Sequence, residues 1–207
     1  MTPATRRVAA FDFDGTITRR DTLGPFLVEH LGRLRVVRAG LPHLPRLGAA
    51  ALGRSDRDAA KDRYLTTLLR GHPADDLERA GRGYAQRLLE RRPFHPAVVE
   101  RLDWHREQGH RIVVISASLA VYVEPVARAL GADAALATRL EVADGRLTGH
   151  MAGGNVRAAA KVRHLERWLG PDPAEVWAYG DSAGDDELLA RADHAHRVRG
   201  GQIVPGP

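Results

Sequence analysis

The sequence predicts an α/β fold on a parallel sheet, with a helical segment inserted after the first strand. Three observations predict it. Short apolar runs alternate with helix-length stretches, the signature of strand–helix–strand units. One long stretch, 21–92, contains no clear strand and is broken into short helical pieces by Gly32, Gly40, Gly48, Gly53 and Gly71. With 207 residues, 43% of them hydrophobic, the chain has material for one good core and a smaller inserted domain.

Val8 to Phe13 reads as the first buried strand, an apolar run. Helices are expected at Leu23–Leu31, Leu34–Leu41, Arg57–Leu69 and Ala74–Leu89. A further helix spans Pro96–Gln108, with Val98, Val99 and Leu102 at helical spacing and Gly109 as its stop. Arg111–Ile115 is the second strand and Leu119–Leu130, closed by Gly131, the helix after it. A weaker strand, Ala134–Ala137, follows. Over 139–150, Asp144-Gly145 separates two alternating segments, which predicts a hairpin. Lys161–Leu169 is a helix with Leu165 and Trp168 turned inward, stopped by Gly170-Pro171. Then come strand Val176–Tyr179, helix Asp185–Ala192, a short strand His194–Val198, and a tail, Gly200–Pro207, expected to be loose.

Composition narrows the chemistry. There are no cysteines, which excludes disulfides, thiolate metal sites and a cysteine nucleophile; a cytoplasmic location is compatible and is the expectation. No apolar run reaches the about 18 residues of a spanning helix, and Met1–Arg7 leads into a strand without a secretory pattern. The net charge is +5 and the pI about 10.2. Arginines are scattered among acids rather than blocked, and aromatic content is 5%, low for a protein that stacks on bases. No nucleic-acid partner is therefore expected. Peripheral contact with an anionic membrane is left open, as is the oligomeric state. The only lysines are Lys61 and Lys161.

Four signals carry chemistry. In Phe11-Asp12-Phe13-Asp14-Gly15-Thr16 a strand delivers two carboxylates at its carboxyl end, where open α/β sheets bind ligands. Gly15 allows a tight turn. Paired carboxylates repel unless a cation lies between them or one is protonated, and a hard divalent ion, Mg2+ beside phosphate, satisfies them. A lone Asp-x-Asp is more often a solvated strand end. Ser116, after a second strand, suits a phosphoryl oxygen, aided by the N–H groups of Ala117 and Ser118; the plainer reading is a helix N-cap. Lys161 opens a helix and suits a phosphoryl–carboxylate gap; alone it is an exposed helix residue. Asp181, first carboxylate beyond the strand ending at Gly180, is placed to ligate a metal. Asp185, four residues on, ligates through water, orients Lys161, or merely favours a helix N-terminus.

Together, Asp12, Asp14, Ser116, Lys161, Asp181 and Asp185 resemble, in order and strand context, the haloacid dehalogenase superfamily of phosphohydrolases. The runs Thr18-Arg19-Arg20-Asp21, Gly109-His110-Arg111, Ser116-Ala117-Ser118, Ala137-Thr138-Arg139 and Gly180-Asp181-Ser182 look like its phosphoserine-phosphatase-like subgroup. The resemblance implies a Rossmann-like three-layer core over 1–20 and 93–207 and a helical cap over 21–92. It implies Asp12 as a nucleophile forming an aspartyl-phosphate and Asp14 as general acid and base. Mg2+ would be held by Asp12, the Asp14 backbone carbonyl, Asp181 and Asp185. Phosphate or substrate contacts would come from Gly15, Ser116, Ala117, Ser118 and Lys161, and from Asp21, which stands where phosphoserine phosphatases carry an acid facing the substrate amine. Asp14 argues against dehalogenation, since dehalogenating relatives lack it. Lys61 and Arg63, in the inserted segment, offer cations for a substrate carboxylate or a second phosphate; the plainer expectation is that they are solvated helix residues. Ala158 stands where relatives often carry Gly. The expected activity is Mg2+-dependent hydrolysis of a small phosphomonoester. The alternatives are a lipid phosphate as substrate, phosphotransfer to a second substrate, and a non-enzymatic phosphoester-sensing module.

Overall fold

The computed structural model describes residues 6–40 and 57–206. Its centre is a seven-stranded sheet of order β4-β3-β2-β1-β5-β6-β7. The strands are β1 (Arg6–Phe11), β2 (Arg111–Leu119), β3 (Ala134–Ala143), β4 (Arg146–Ala152), β5 (Ala174–Gly180), β6 (His194–Arg199) and β7 (Gln202–Pro205). The five inner strands are parallel, and β4 and β7 run antiparallel at the two edges. The helices described are α1 (Leu23–Leu31), α2 (Arg33–Gly40), α3 (Arg57–Leu69), α4 (Ala74–Arg91), α5 (Pro96–Glu107), α6 (Ala120–Ala129), α7 (Ala159–Leu169) and α8 (Asp186–Arg191). None of them is long and apolar enough to cross a membrane.

The apolar runs work as central strands because both their faces are covered. Along β1, Ala9 and Phe11 face one core, with Val98, Leu102, Val114, Val123 and Tyr179. Val8 and Ala10 face the other, with Val113, Ile115, Leu165, Leu169, Val176 and Leu188. That period-2 alternation makes a three-layer, Rossmann-like α/β fold. β1 lies between β2 and β5, so the chain leaves it to one side and returns on the other. The crevice at this switch point, beyond the strands' carboxyl ends, is where such sheets bind ligands.

Helices α1 to α4 lie between β1 and α5. They are tied to the β3–β4 hairpin by backbone hydrogen bonds from Gly71 N to Leu147 O (2.8 Å) and from Ala74 N to Gly145 O (2.9 Å). Phe26 of α1 and Tyr84 of α4 wedge against Tyr122 of α6, with ring centroids 4.9 and 5.3 Å from it. Asp144 and Gly145 both take positive φ, 50° and 72°, as a two-residue hairpin turn requires.

Most element ends shift by one or two residues, and three differences from expectation matter for the site or its frame. β1 stops at Phe11, so Asp12 and Phe13 lie beyond the strand. β2 runs on to Leu119, with a register break between Ser116 and Leu119. Ser116 therefore does not cap a helix; Leu119 occupies the N-cap position of α6. The tail is not loose through Gly206, because Gly200 and Gly201, at φ 56° and 84°, turn the chain so that β7 pairs with β6; Pro207 lies outside the described residues. The expected helix end at Leu41, and Gly48 and Gly53, fall outside the described residues.

Candidate active site

The residues expected to act in catalysis, phosphate or substrate binding and metal binding line one cavity of about 560 Å³ at the carboxyl edge of the sheet: Asp12, Asp14, Gly15, Asp21, Ser116, Ala117, Ser118, Lys161, Asp181 and Asp185. Four segments deliver them. Asp12 follows β1, anchored by its N–H to Tyr179 O at 2.9 Å. Ser116 sits near the end of β2, Asp181 directly after β5, and Lys161 in the first turn of α7.

Lys161 is the electrostatic centre. Its ammonium, 2% exposed, hydrogen-bonds Asp12 Oδ1 and, at 2.6 Å, Asp185 Oδ1. The other Asp185 oxygen accepts from the Ser182 N–H and hydroxyl, each at 3.0 Å. Of the three roles open for Asp185, the hydrogen bond to Lys161 is the orienting one, and its carboxylate also stands among the possible metal ligands. Asp181 Oδ1 accepts from Thr16 Oγ1 at 3.2 Å. Carboxylate oxygens of Asp12, Asp181 and Asp185 all lie within 4.8 Å of one another. Burial pushes the Asp12 carboxyl up to about 8, against the pull of Lys161 and with a further push from Asp185. Burial works against the Lys161 charge, yet the two carboxylates outweigh it and its pKa is raised. Asp181 is raised by burial and by Asp185.

Three acids against one ammonium leave negative charge uncompensated, and an all-oxygen donor set suits a hard divalent cation. The backbone is shaped to match. Gly15, at φ +82°, lies so close to Asp181 that a Cβ there would stand 2.4 Å from its Oδ2; a Cβ on Gly180 would meet Asp185 as closely. The donors fit Mg2+.

Asp14 stands apart from these three. Its Oδ1 accepts from the Thr22 N–H (2.7 Å) and Oγ1 (2.6 Å), and its Oδ2 from Ser118 Oγ (2.5 Å). Burial raises its pKa, and the Ser118 and Thr22 hydrogen bonds oppose the rise. Ser118 is thus engaged differently from expectation: its hydroxyl serves Asp14 and its N–H goes to Ser116 Oγ at 2.9 Å. Asp21, exposed at the cavity's mouth, accepts from the Gly24 N–H at 3.1 Å and so holds the start of α1.

Lys61 is not a solvated helix residue. It crosses from α3 to donate to Ala117 O (2.5 Å) and Asn155 Oδ1 (2.8 Å). Burial lowers it to about 8 despite nearby Asp14, Asp58 and Asp21. Asn155 joins this bridge to Asp58 (2.8 Å) and Thr138 (3.1 Å). Sequence reasoning passed over Asn155, Asp58 and Arg157, all of which line the cavity. Lys61 had a usable signal, being as rare in this arginine-rich chain as Lys161. Arg63 is exposed and outside the cavity lining. Ala158 sits at φ 52°, ψ −132°, a conformation natural to Gly, at the N-cap of α7.

The chain belongs to the haloacid dehalogenase-like hydrolase family, whose model matches residues 9–190. A protein named CicA of Caulobacter vibrioides is 37% identical over 187 residues, 90% of this chain and 83% of that protein. A phosphoserine phosphatase of Archaeoglobus fulgidus is 27% identical over 191 residues, 90% of this chain and 51% of that protein. A substrate-bound phosphoserine phosphatase structure superposes with a TM-score of 0.63 at 22% identity, covering 92% of this chain and 85% of the other, a likeness of fold. These relatives agree with the phosphoserine-phosphatase-like subgroup.

Proposed function

We propose that this hydrolase is a Mg2+-dependent phosphomonoesterase working through an aspartyl-phosphate on Asp12. The observation that carries the reading is the Lys161 ammonium seated between Asp12 and Asp185, with Asp181 alongside and Asp14 held clear of that cluster. Asp12 attacks phosphorus; the new P–O bond forms as the bond to the leaving alkoxide breaks, and Asp14 gives that oxygen its proton. Asp14 then takes a proton from water as the water attacks phosphorus, which frees phosphate and restores Asp12. Lys161 and Ser116 hold phosphoryl oxygens, since positioning and charge neutralisation supply most of the acceleration in phosphoryl transfer. Mg2+, held by Asp12, the Asp14 carbonyl, Asp181 and Asp185, would neutralise charge between nucleophile and phosphate. Residues 21–92 act as a cap over this site, and the Lys61 bridge to Ala117 and Asn155 supports that role. The substrate is a small organic phosphomonoester.

The test is phosphate release from a panel of phosphomonoesters with Mg2+. Turnover of at least one ester is expected, abolished by chelation, restored by Mg2+, and absent in Asp12→Asn while the variant stays folded. Chelator-insensitive hydrolysis, or near wild-type activity in Asp12→Asn, would refute the reading.

A further inference from the structure

We infer that Ser118, backed by Tyr122, is a positioning residue that fixes which oxygen of Asp14 exchanges the catalytic proton. The inference rests on the acid–base role proposed above for Asp14. The two carboxylate oxygens are held in unlike ways. Oδ1 accepts from the Thr22 backbone N–H at 2.7 Å and from the Thr22 hydroxyl at 2.6 Å. A backbone N–H can only donate, so Oδ1 is an acceptor throughout the cycle. Among the described residues, Oδ2 has one hydrogen-bond partner, the Ser118 hydroxyl at 2.5 Å. A hydroxyl can donate or accept. Ser118 therefore donates to Oδ2 when Asp14 is a carboxylate and accepts from it when Asp14 is the acid. The proton given to the leaving oxygen comes from Oδ2, and the Ser118 O–H turns back toward Oδ2 once it has gone.

The groups behind Ser118 hold it in place. Its backbone is pinned by the N–H bond to Ser116 Oγ at 2.9 Å. The Tyr122 hydroxyl, fully buried, lies 3.2 Å from Thr22 Oγ1 and also interacts with the Ser118 hydroxyl. Burial keeps this phenol protonated. Tyr122 can thus donate to Thr22 or to Ser118, so that the hydroxyls reorient while the heavy atoms stay in place. The Tyr84 hydroxyl, 3.2 Å from Thr22 O, holds the opposite side of the same residue. A serine whose only task was to bind phosphate would not need this support.

The test compares kcat/KM for two esters, 4-nitrophenyl phosphate, whose leaving group departs without a proton, and glycerol phosphate, whose alkoxide needs one. This parameter ends at the step in which the leaving group departs, before water attacks. Ser118→Ala is expected to lower kcat/KM for glycerol phosphate by about 10-fold or more beyond its effect on the nitrophenyl ester, within the range of general-acid contributions. Ser118→Thr, which keeps the hydroxyl, should restore the ratio, and Tyr122→Phe should show the same split at smaller size. Asp14→Asn is run alongside. If Asp14→Asn discriminates between the esters and both Ser118→Ala and Tyr122→Phe lower them equally, the inference falls while the Asp14 role stands. If Asp14→Asn itself lowers both equally, the acid–base reading falls and the inference with it. Thermal unfolding confirms that each variant is folded; should Ser118→Ala fail to fold, the split in Tyr122→Phe decides.

Discussion

Lys161 spans the gap between two carboxylates because α7 begins within one residue of a strained position. Ala158 accepts φ 52° and ψ −132°, held by its N–H to Gly184 O at 3.0 Å, and Ala159 then starts the helix. A side chain in such a region costs on the order of 1–3 kcal/mol. Ala158→Gly removes that strain but gains unfolded-state entropy. The net expectation is a gain of about 1 kcal/mol, or a rise in thermal midpoint of about 2–4 °C for a chain of this size. Thermal unfolding checks it, and an unchanged or lower midpoint would contradict it. At this scale much was legible. Asp12, Asp14 and Asp181 are acids just beyond apolar strand runs, and Lys161 and Asp185 stand at helix starts next to that rim. For Lys61 the rarity of lysine marked the residue but not its partner, an Ala117 carbonyl that is distant in the chain. Ser118 was given to phosphate because its hydrogen bond to Asp14 spans 104 positions.

The elements were legible where burial imposes a pattern. β1, β2 and β5 are buried on both faces, and their apolar runs read directly as strands. The insertion announced itself by lacking strands, and Arg57–Leu69 was predicted with the bounds it has. Elements that depend on a neighbour were harder. β7, Gln202–Pro205, is an edge strand four residues long, ending in Pro, and only pairing with β6 gives it order. β2 outlasts its apolar run because Ser116, Ala117 and Ser118 continue the extended backbone through the register break, a feature set by β3 rather than by local sequence. That extension carries Ser118 to Asp14 rather than leaving it at a helix start.

At the scale of the whole molecule, the sheet separates a charged rim from a dry interior that contains histidine. His105 is fully buried between α5 and the sheet, its Nδ1 2.8 Å from His110 Nδ1 and its Nε2 2.8 Å from the Tyr179 hydroxyl. Trp104, Trp177 and Phe11 ring it, and Arg101 and His196 lie nearby. Burial, then His110 and Arg101, lower it to about 3. A depressed histidine binds its proton in the unfolded chain first. Its contribution to stability is thus whole above the unfolded pKa of about 6.5 and is lost as pH falls toward 3. Asp12, raised to about 8, acts in the opposite sense over part of that range. The useful quantity is therefore the difference between wild type and His105→Phe, measured by denaturant unfolding at fixed Mg2+. The advantage of wild type over the variant should shrink from pH 7 to pH 4; an advantage that is constant or grows would contradict the assignment.

The most direct measurement is acid-quenched turnover with radiolabelled phosphomonoester, followed by peptide mapping. Covalent phosphate should appear on the peptide containing Asp12, labile as an acyl phosphate is, and should vanish in Asp12→Asn. Label on a peptide containing Ser116 instead, or steady turnover with no labelled protein under any quench, would contradict the account.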